Sequence, residues 1–442
     1  MNFLFDAAVF FERVRSKEVR YALSLIERSE NASRNQILEM QNQAFLNLVS
    51  QAYSFSPYYK NTLDKNGLTP KSFYSIEDIG KFTILTKDII KSKRDSLKAK
   101  NQQATKYITR TSGGTTGEPI KMDVNSQSAL IDLYFYYRGL KWMGYNPGSS
   151  MIKFFGGSLG GNNSPTLRNK IKKFVSGELF LPAFSLTREN CNEYFDQIQK
   201  RGKTFLQGYV STLYTLAIYA KETNRAKKLN ILGVFTTAEQ LPSEQAAFIS
   251  EVFSCEVKSF YGCAEINCLG FQTKMGGPYI IPEEIVHIEN CGKQHSIHEN
   301  SFLTTSLYNY TTPLIRYLNG DNGRLITGEK YLLIDELYGR TADMFKHPNG
   351  SYISSIVATQ TMQITGLTHK IKRYQLVQKD IDSIELRYSL FENQYLEKNE
   401  LDKIVAMYKK RLGEEFKLAP IQTETFIKSS SGKHRLMINQ IT

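Results

Sequence analysis

Arg110-Thr111-Ser112-Gly113-Gly114-Thr115-Thr116-Gly117-Glu118-Pro119 sets four hydroxyls and three glycines in seven consecutive positions, 111–117, before Pro119 returns the chain to an extended path. Glycines let a loop expose successive backbone N–H groups and hydroxyls add further donors, so the run suits phosphate oxygens. It is not the common phosphate loop, which needs Lys-Ser/Thr after its last glycine, where Glu118-Pro119 stands here. Taken alone, a Ser/Gly/Thr run also reads as a flexible connection.

Outward from this run, short apolar stretches alternate with helical patterns. Ile120-Lys121-Met122 reads as a strand, Ser126 to Trp142 as a helix and Met151-Ile152-Lys153-Phe154-Phe155 as a buried strand ending in Gly156-Gly157. The alternation continues through Phe205–Tyr209, a helix after Ser211, a strand over 231–235 and a helix over 243–253, which predicts an α/β layered domain. Residues 286–335 turn β-rich, and the last hundred residues mix strand and helix, with an amphipathic helix around 398–413. Residues 1–55 carry a helical pattern without Gly or Pro before Pro57.

Four further stretches follow in order: Val234-Phe235-Thr236-Thr237-Ala238-Glu239; Ser259-Phe260-Tyr261-Gly262-Cys263-Ala264-Glu265; Pro313-Leu314-Ile315-Arg316-Tyr317-Leu318-Asn319-Gly320-Asp321; and Tyr338-Gly339-Arg340-Thr341-Ala342-Asp343. Ser431-Gly432-Lys433 lies beyond them, and Ser56–Lys60, Asn66–Pro70 and Phe82–Lys87 precede the glycine run. The series resembles the adenylate-forming ligases, which activate carboxylic acids with ATP, and within them the phenylacetate–coenzyme A ligase and capsule-biosynthesis branch. The resemblance covers roughly residues 50–442. It implies a large N-terminal α/β domain with a β-rich subdomain over 1–337 and a small, mobile α+β C-terminal domain over 338–442.

Adenylation requires a site for a triphosphate, a divalent metal, a ribose and two mutually repelling anions. Thr111, Ser112, Gly113, Gly114, Thr115, Thr116 and Gly117 are the candidates for the ATP phosphates. The resemblance assigns Glu265 to Mg²⁺, an ion that prefers carboxylate and phosphate oxygens, although a Glu after Tyr-Gly also suits a solvated turn. It sets Tyr261 and Gly262 with Thr237, Ala238 and Glu239 against the adenine; Tyr261 read alone is also an ordinary core aromatic. Asp321 would accept from both ribose hydroxyls and Arg340 would complete that contact; a surface turn and ion pair are the plainer reading. Lys433, in a flexible basic stretch, would bring its ammonium between the carboxylate and the α-phosphate. Tyr209 and Phe235 fall where relatives line the acid pocket, and Tyr134, Phe135, Tyr136 and Tyr137 suit either an aromatic acid or core packing.

Three departures stand out. Ala264 replaces the Thr usual before this glutamate, Ala342 replaces the first acidic residue of the usual hinge, and His347-Pro348-Asn349-Gly350 stands where an Arg-Gly pair is common. The last puts coenzyme A in doubt as the acceptor, and an amine or hydroxyl is the other candidate. The first two motivate a different expectation, a nucleotide-binding scaffold that has lost turnover.

Composition bounds the rest. The 442 residues are 41% hydrophobic and 22% charged, ordinary for a folded protein with more than one domain. No run of 18 apolar residues exists, so no membrane span is expected. The start lacks the pattern of a secretory signal, and a cytoplasmic location is the expectation. The net charge of +13 admits nucleic acid, an anionic membrane surface or anionic small molecules. Basic residues are interspersed with acidic ones and no nucleic-acid motif appears, so small anionic substrates are preferred. Phe3, Leu4, Phe5, Val9, Phe10 and Phe11, followed by Arg13 and Arg15, suit a membrane-surface helix; docking on the chain's own domain or on a second copy, as a homodimer, is the favoured reading. The five cysteines lack paired spacing, so reduced thiols are expected, with a zinc site among Cys255, Cys263, Cys268, Cys291 and His295 as the minor alternative.

Overall fold

The computed structural model describes residues 3–101, 107–111, 120–155, 176–183, 188–292, 299–340, 345–348, 352–353, 361–362, 364–427 and 435–441. Helices α1 (Phe3–Arg15), α2 (Lys17–Glu30), α3 (Arg34–Phe55) and α4 (Pro57–Lys65) open the chain. Their ends are written in the sequence. Ser16 caps α2 by accepting from Val19 N, Ser33 and Gln36 cap α3 reciprocally, and Pro57 occupies the first turn of α4, where no N–H is missed. The α3 stripe of Ile37, Ala44, Phe45, Leu48, Val49 and Ala52 is buried at helical spacing. Short helices α5 (Lys87–Ser92) and α6 (Arg94–Leu97) follow.

Strands β1 (Tyr107–Thr111) and β2 (Lys121–Asn125) pair antiparallel, so the glycine run joins their ends. Helix α7 (Ser126–Trp142) is capped by Asn125 and leads to β3 (Met151–Phe155) and β4 (Glu178–Pro182). Then come α8 (Arg188–Arg201), β5 (Thr204–Tyr209), α9 (Val210–Glu222), β6 (Ile231–Thr237), α10 (Ser243–Phe253) and β7 (Val257–Tyr261). Strands β3 to β7 pair in parallel, in the order β4-β3-β5-β6-β7. Parallel strands are covered on both faces, which is why β5 and β7 are buried along their whole length.

Beyond β7 the sheet becomes antiparallel through β8 (Gly270–Gln272), β9 (Tyr279–Ile280), β10 (Val286–Asn290), β11 (Ser301–Ser306), β12 (Tyr317–Thr327) and β13 (Leu332–Arg340). One face packs on α2, α3 and α7 through Leu25, Leu48, Phe135, Phe235 and Phe271. The other packs on α8, α9 and α10 through Phe195, Leu213, Ile249, Leu206 and Val234. The α/β class read from the sequence is what the structure has. Gly139 belongs to the first contact: a Cβ there would lie 2.3 Å from the Phe271 ring, so only glycine lets α7 approach β8 this closely.

The expected domain edge at 338 falls inside β13, which pairs in the large sheet as far as Arg340. Two short strands, β14 (Phe345–Lys346) and β15 (Tyr352–Ile353), pair next. A separate mixed sheet then joins β16 (Ile371–Asp380), β17 (Ser383–Leu390), β18 (Lys417–Gln422) and β19 (Met437–Asn439) in the order β18-β17-β16-β19, backed by α11 (Lys398–Leu412). It has its own core of Phe345, Leu376, Tyr408, Phe416 and Met437. This sheet rests on α9 and α10: the Tyr374 hydroxyl donates to Glu244 at 3.0 Å, Arg373 donates to Thr215, and Phe391 lies 5.9 Å from Phe248.

Candidate active site

Parallel strands end on one side of a sheet, and that side is where open α/β sheets bind ligands. Tyr209, Thr237 and Tyr261 are the last residues of β5, β6 and β7, with Tyr209 in register with Thr237. After Thr237 the backbone turns through a left-handed Ala238, φ 67°, a conformation costing about 1–2 kcal/mol for a side chain with a Cβ. The turn sends Glu239 back over α9, where its carboxylate accepts from Ser211 N at 2.7 Å and Ser211 Oγ at 3.0 Å. An acid at a helix N-terminus is favourable, so Glu239 caps α9. Gln240 then donates to Leu337 O at 3.0 Å, which ties this turn to β13.

Gly262 makes the next turn. A Cβ there would sit 2.0 Å from Asn267 O, so the loop closes on itself only with glycine at that position. Cys263 N donates to Ile266 O at 3.0 Å and the Cys263 sulfur accepts from Ile266 N at 3.3 Å. The result is that Glu265, 7% exposed, faces β12, and its Oε1 accepts from the Tyr317 hydroxyl at 3.0 Å. Burial, and then the Glu265 carboxylate, raise the Tyr317 phenol above its ordinary value, so it stays a donor. Among the described residues no Lys, Arg or His pairs with Glu265. A buried carboxylate held by one neutral hydroxyl is a hard-oxygen ligand suited to a divalent cation.

Strand alternation does the rest. Tyr317, Asn319 and Asp321 share one face of β12. The Tyr261 hydroxyl donates to Asp321 Oδ2 at 2.8 Å and accepts from Asn319 Nδ2 at 2.8 Å, while Asn319 Oδ1 receives Asp321 N at 2.9 Å. Burial and the Asp321 charge hold the Tyr261 phenol well above its usual range. Arg340 is the β13 register partner of Asp321.

The structure therefore brings Thr237, Ala238, Glu239, Tyr261, Gly262, Glu265, Asp321 and the Arg340 backbone to one end of the sheet. Tyr209 joins them, its ring edge-to-face with Phe155 at 5.5 Å between centroids. Phe235 lies one row deeper, stacked 5.4 Å from Phe205 and fully enclosed with Tyr145. Thr111 ends β1, while Ser112, Gly113, Gly114, Thr115, Thr116 and Gly117 lie outside the described residues, as do Ala342 and Lys433. The aromatic run on α7 is not one wall. Tyr134 donates to Glu12 at 3.0 Å, Phe135 packs under Arg138, Tyr136 donates to Gln207 at 2.7 Å, and Tyr137 meets Phe5 at 5.5 Å. Consecutive helical residues point about 100° apart, so four in a row cannot share a surface. Sequence reading assigned no role to Tyr317 or Asn319, although their i, i+2 spacing to Asp321 on a strand is the signal that unites them.

The CapK C-terminal domain model matches residues 345–440. Protein CapK of Staphylococcus aureus is 24% identical over 435 residues, covering 92% of this chain and 90% of its own length. Among solved structures, 2-hydroxyisobutyryl-CoA ligase in the postadenylation state superposes with a TM-score of 0.72 at 15% identity, covering 92% of this chain and 89% of the other. The acyl acid amido synthetase AtGH3.15 superposes with a TM-score of 0.65 at 11% identity, covering 95% and 94%. The chain has the fold of the adenylate-forming ligases and is similar to CapK over most of its length.

Proposed function

We propose that this chain is an AMP-forming ligase that activates a carboxylic acid with ATP and passes the acyl group to an acceptor nucleophile. The observation that carries the reading is the paired set Glu265–Tyr317 and Asn319–Tyr261–Asp321 at the carboxyl ends of the parallel strands. An acid oxygen attacks the α-phosphorus of ATP, the bond to the β-phosphate bridge breaks, and pyrophosphate leaves; the acceptor then displaces AMP. Glu265 would hold Mg²⁺, which supplies positive charge to the phosphates. Asp321, oriented by Tyr261 and by its own N–H on Asn319, would accept from the ribose hydroxyls. Thr237, Ala238 and Gly262 would meet the adenine with backbone atoms, since the Glu239 side chain is engaged on Ser211. The glycine run 111–117 would hold phosphate oxygens, and Tyr209 would face the acid. The acceptor is coenzyme A or an amine or hydroxyl.

ATP–pyrophosphate exchange across a panel of carboxylic acids tests the reading. Acid-dependent exchange supports the ligase; ATP binding without exchange on any acid supports a scaffold that has lost turnover.

Glu265→Gln removes one charge with little change in volume and keeps an acceptor for Tyr317. Exchange at limiting Mg²⁺ falls roughly tenfold or more, about 1.4 kcal/mol of transition-state stabilisation. Unchanged kinetics at limiting Mg²⁺ would take Glu265 out of the metal site.

Asp321→Ala leaves two ribose hydroxyls and the Tyr261 O–H without their acceptor, a loss on the order of 1–3 kcal/mol in a buried site. KM for ATP rises while KM for the acid holds. Calorimetry that finds ATP affinity unaltered rejects the ribose assignment.

A further inference from the structure

Helix α1 is apolar on two sides, and only one is used. Phe5 meets Tyr137, Val9 packs against the core and Glu12 accepts from the Tyr134 hydroxyl, so positions 5, 9 and 12 fix the inner face on α7. At 100° per residue, Phe10, Val14 and Phe11 fall together across an arc of about 100° on the opposite side. They are 62%, 60% and 61% exposed. No packing in the described structure accounts for two phenylalanines and a valine here, whereas the inner face accounts fully for the docking of the helix.

We propose that this outer face of α1 docks on an anionic lipid surface, with Phe10, Phe11 and Val14 entering the boundary between headgroups and acyl chains. Charge supports that occupant. Arg15, Lys17 and Arg20 are exposed at the C-terminal end of α1, and Arg20 is held there by donating to the carbonyls of Arg13 at 3.1 Å and Val14 at 2.9 Å. Arg13 is offset by Glu27 at 2.8 Å, and Asp6 and Glu12 are acidic, Asp6 one turn before Phe10, whereas among the described residues Arg15, Lys17 and Arg20 face only Glu18 beside Ser16, so the C-terminal end of the patch is its basic side. The whole chain adds +13. Area argues against a second copy. Three side chains of this size expose on the order of 400 Å², about half of the roughly 800 Å² per partner that a stable dimer covers. A surface-lying helix needs less: a few large apolar side chains on one face and Lys or Arg beside them. No helix among the described residues is long and apolar enough to cross a membrane, so contact at the surface is the geometry on offer.

Cosedimentation of the full chain with vesicles tests this. The protein binds vesicles of equimolar phosphatidylcholine and phosphatidylglycerol, binds phosphatidylcholine alone far less, and is released as salt screens the basic side. Phe10→Ser with Phe11→Ser lowers partition at least tenfold. Arg15→Gln and Lys17→Gln each lower it roughly fivefold. All four positions are exposed, so melting temperatures stay unchanged. Absence of binding to the mixed vesicles, or full binding by the double serine variant, overturns the proposal. So does a wild-type dimer in sedimentation velocity that Phe10→Ser with Phe11→Ser dissolves, which would give the face to a second copy.

Discussion

Lys433→Ala stops formation of the acyl-adenylate while sparing transfer from a chemically prepared adenylate to the acceptor. The expectation follows from the charge balance of the first step. A carboxylate and a triphosphate repel, and the transition state at the α-phosphorus concentrates negative charge between them. An ammonium placed there stabilises that state more than the ground state, with an effect comparable to an oxyanion-hole donor, about 10²–10³-fold in rate. Lys433 stands in the basic stretch Lys428–Arg435, between the Phe426–Ile427 segment and β19 of the small mixed sheet. Gln375 holds both sides of that stretch, donating to Ile427 O at 2.9 Å and to Arg435 O at 2.8 Å. The small sheet meets α9 and α10 through Tyr374–Glu244, Arg373–Thr215 and Phe391–Phe248, and we propose that it reorients there between the two steps. Pyrophosphate exchange and acyl transfer from added adenylate are measured separately on the same variant. Equal loss of both assigns Lys433 to folding or to both steps, and normal exchange removes it from catalysis.

Much of the layered fold was legible because its signals are local. Met151–Phe155, Phe205–Tyr209 and Ile231–Phe235 are short apolar runs between turns, and Ser126–Trp142 carries a helical pattern; all form as expected. The way the antiparallel half closes was not legible, because β13 pairs with β9 across the long intervening segment 281–331, which no periodicity records. The same separation hid the partners inside the site. Glu265 and Asp321 were found as isolated motif residues, whereas Tyr317 and Tyr261, which hold them, lie 52 and 60 positions away from their partners. Phe235 shows a further limit: an apolar residue near a strand end suits a pocket wall or a core stack, and only its neighbours Phe205 and Tyr145 decide. In α1, one run of apolar residues covered two faces with different surroundings, and composition treats them as one.

Glu284→Gln is expected to be the most destabilising single change in the N-terminal layer. Arg138 on α7 reaches Glu284 with two bonds, 2.7 Å and 3.2 Å, and both side chains are almost fully enclosed, at 4% and 0% exposure. Ser29 Oγ of α2 accepts from the same guanidinium at 2.8 Å, the Tyr331 hydroxyl donates to Glu284 at 2.9 Å, and the guanidinium lies 4.2 Å and 4.3 Å from the Phe135 and Trp142 rings. Two helices and the strand region at Tyr331 thus meet at one charge pair. Removing the carboxylate leaves a buried guanidinium uncompensated, a loss of about 3–5 kcal/mol in chemical denaturation. Glu284→Leu with Arg138→Met deletes both charges and recovers a large part of that loss, because the pair's attraction mostly offsets its own desolvation. The pH dependence has a definite sign. Burial acts to raise the Glu284 carboxyl, and the Arg138 charge more than reverses this, leaving it below its ordinary value. A depressed carboxyl stabilises fully above its unfolded value, about 4.3, and loses that contribution as acid protonates the folded form. The deficit of Glu284→Gln relative to wild type is therefore largest at neutral pH and narrows below about pH 4; a deficit independent of pH would mean that packing, not the ion pair, sets the loss.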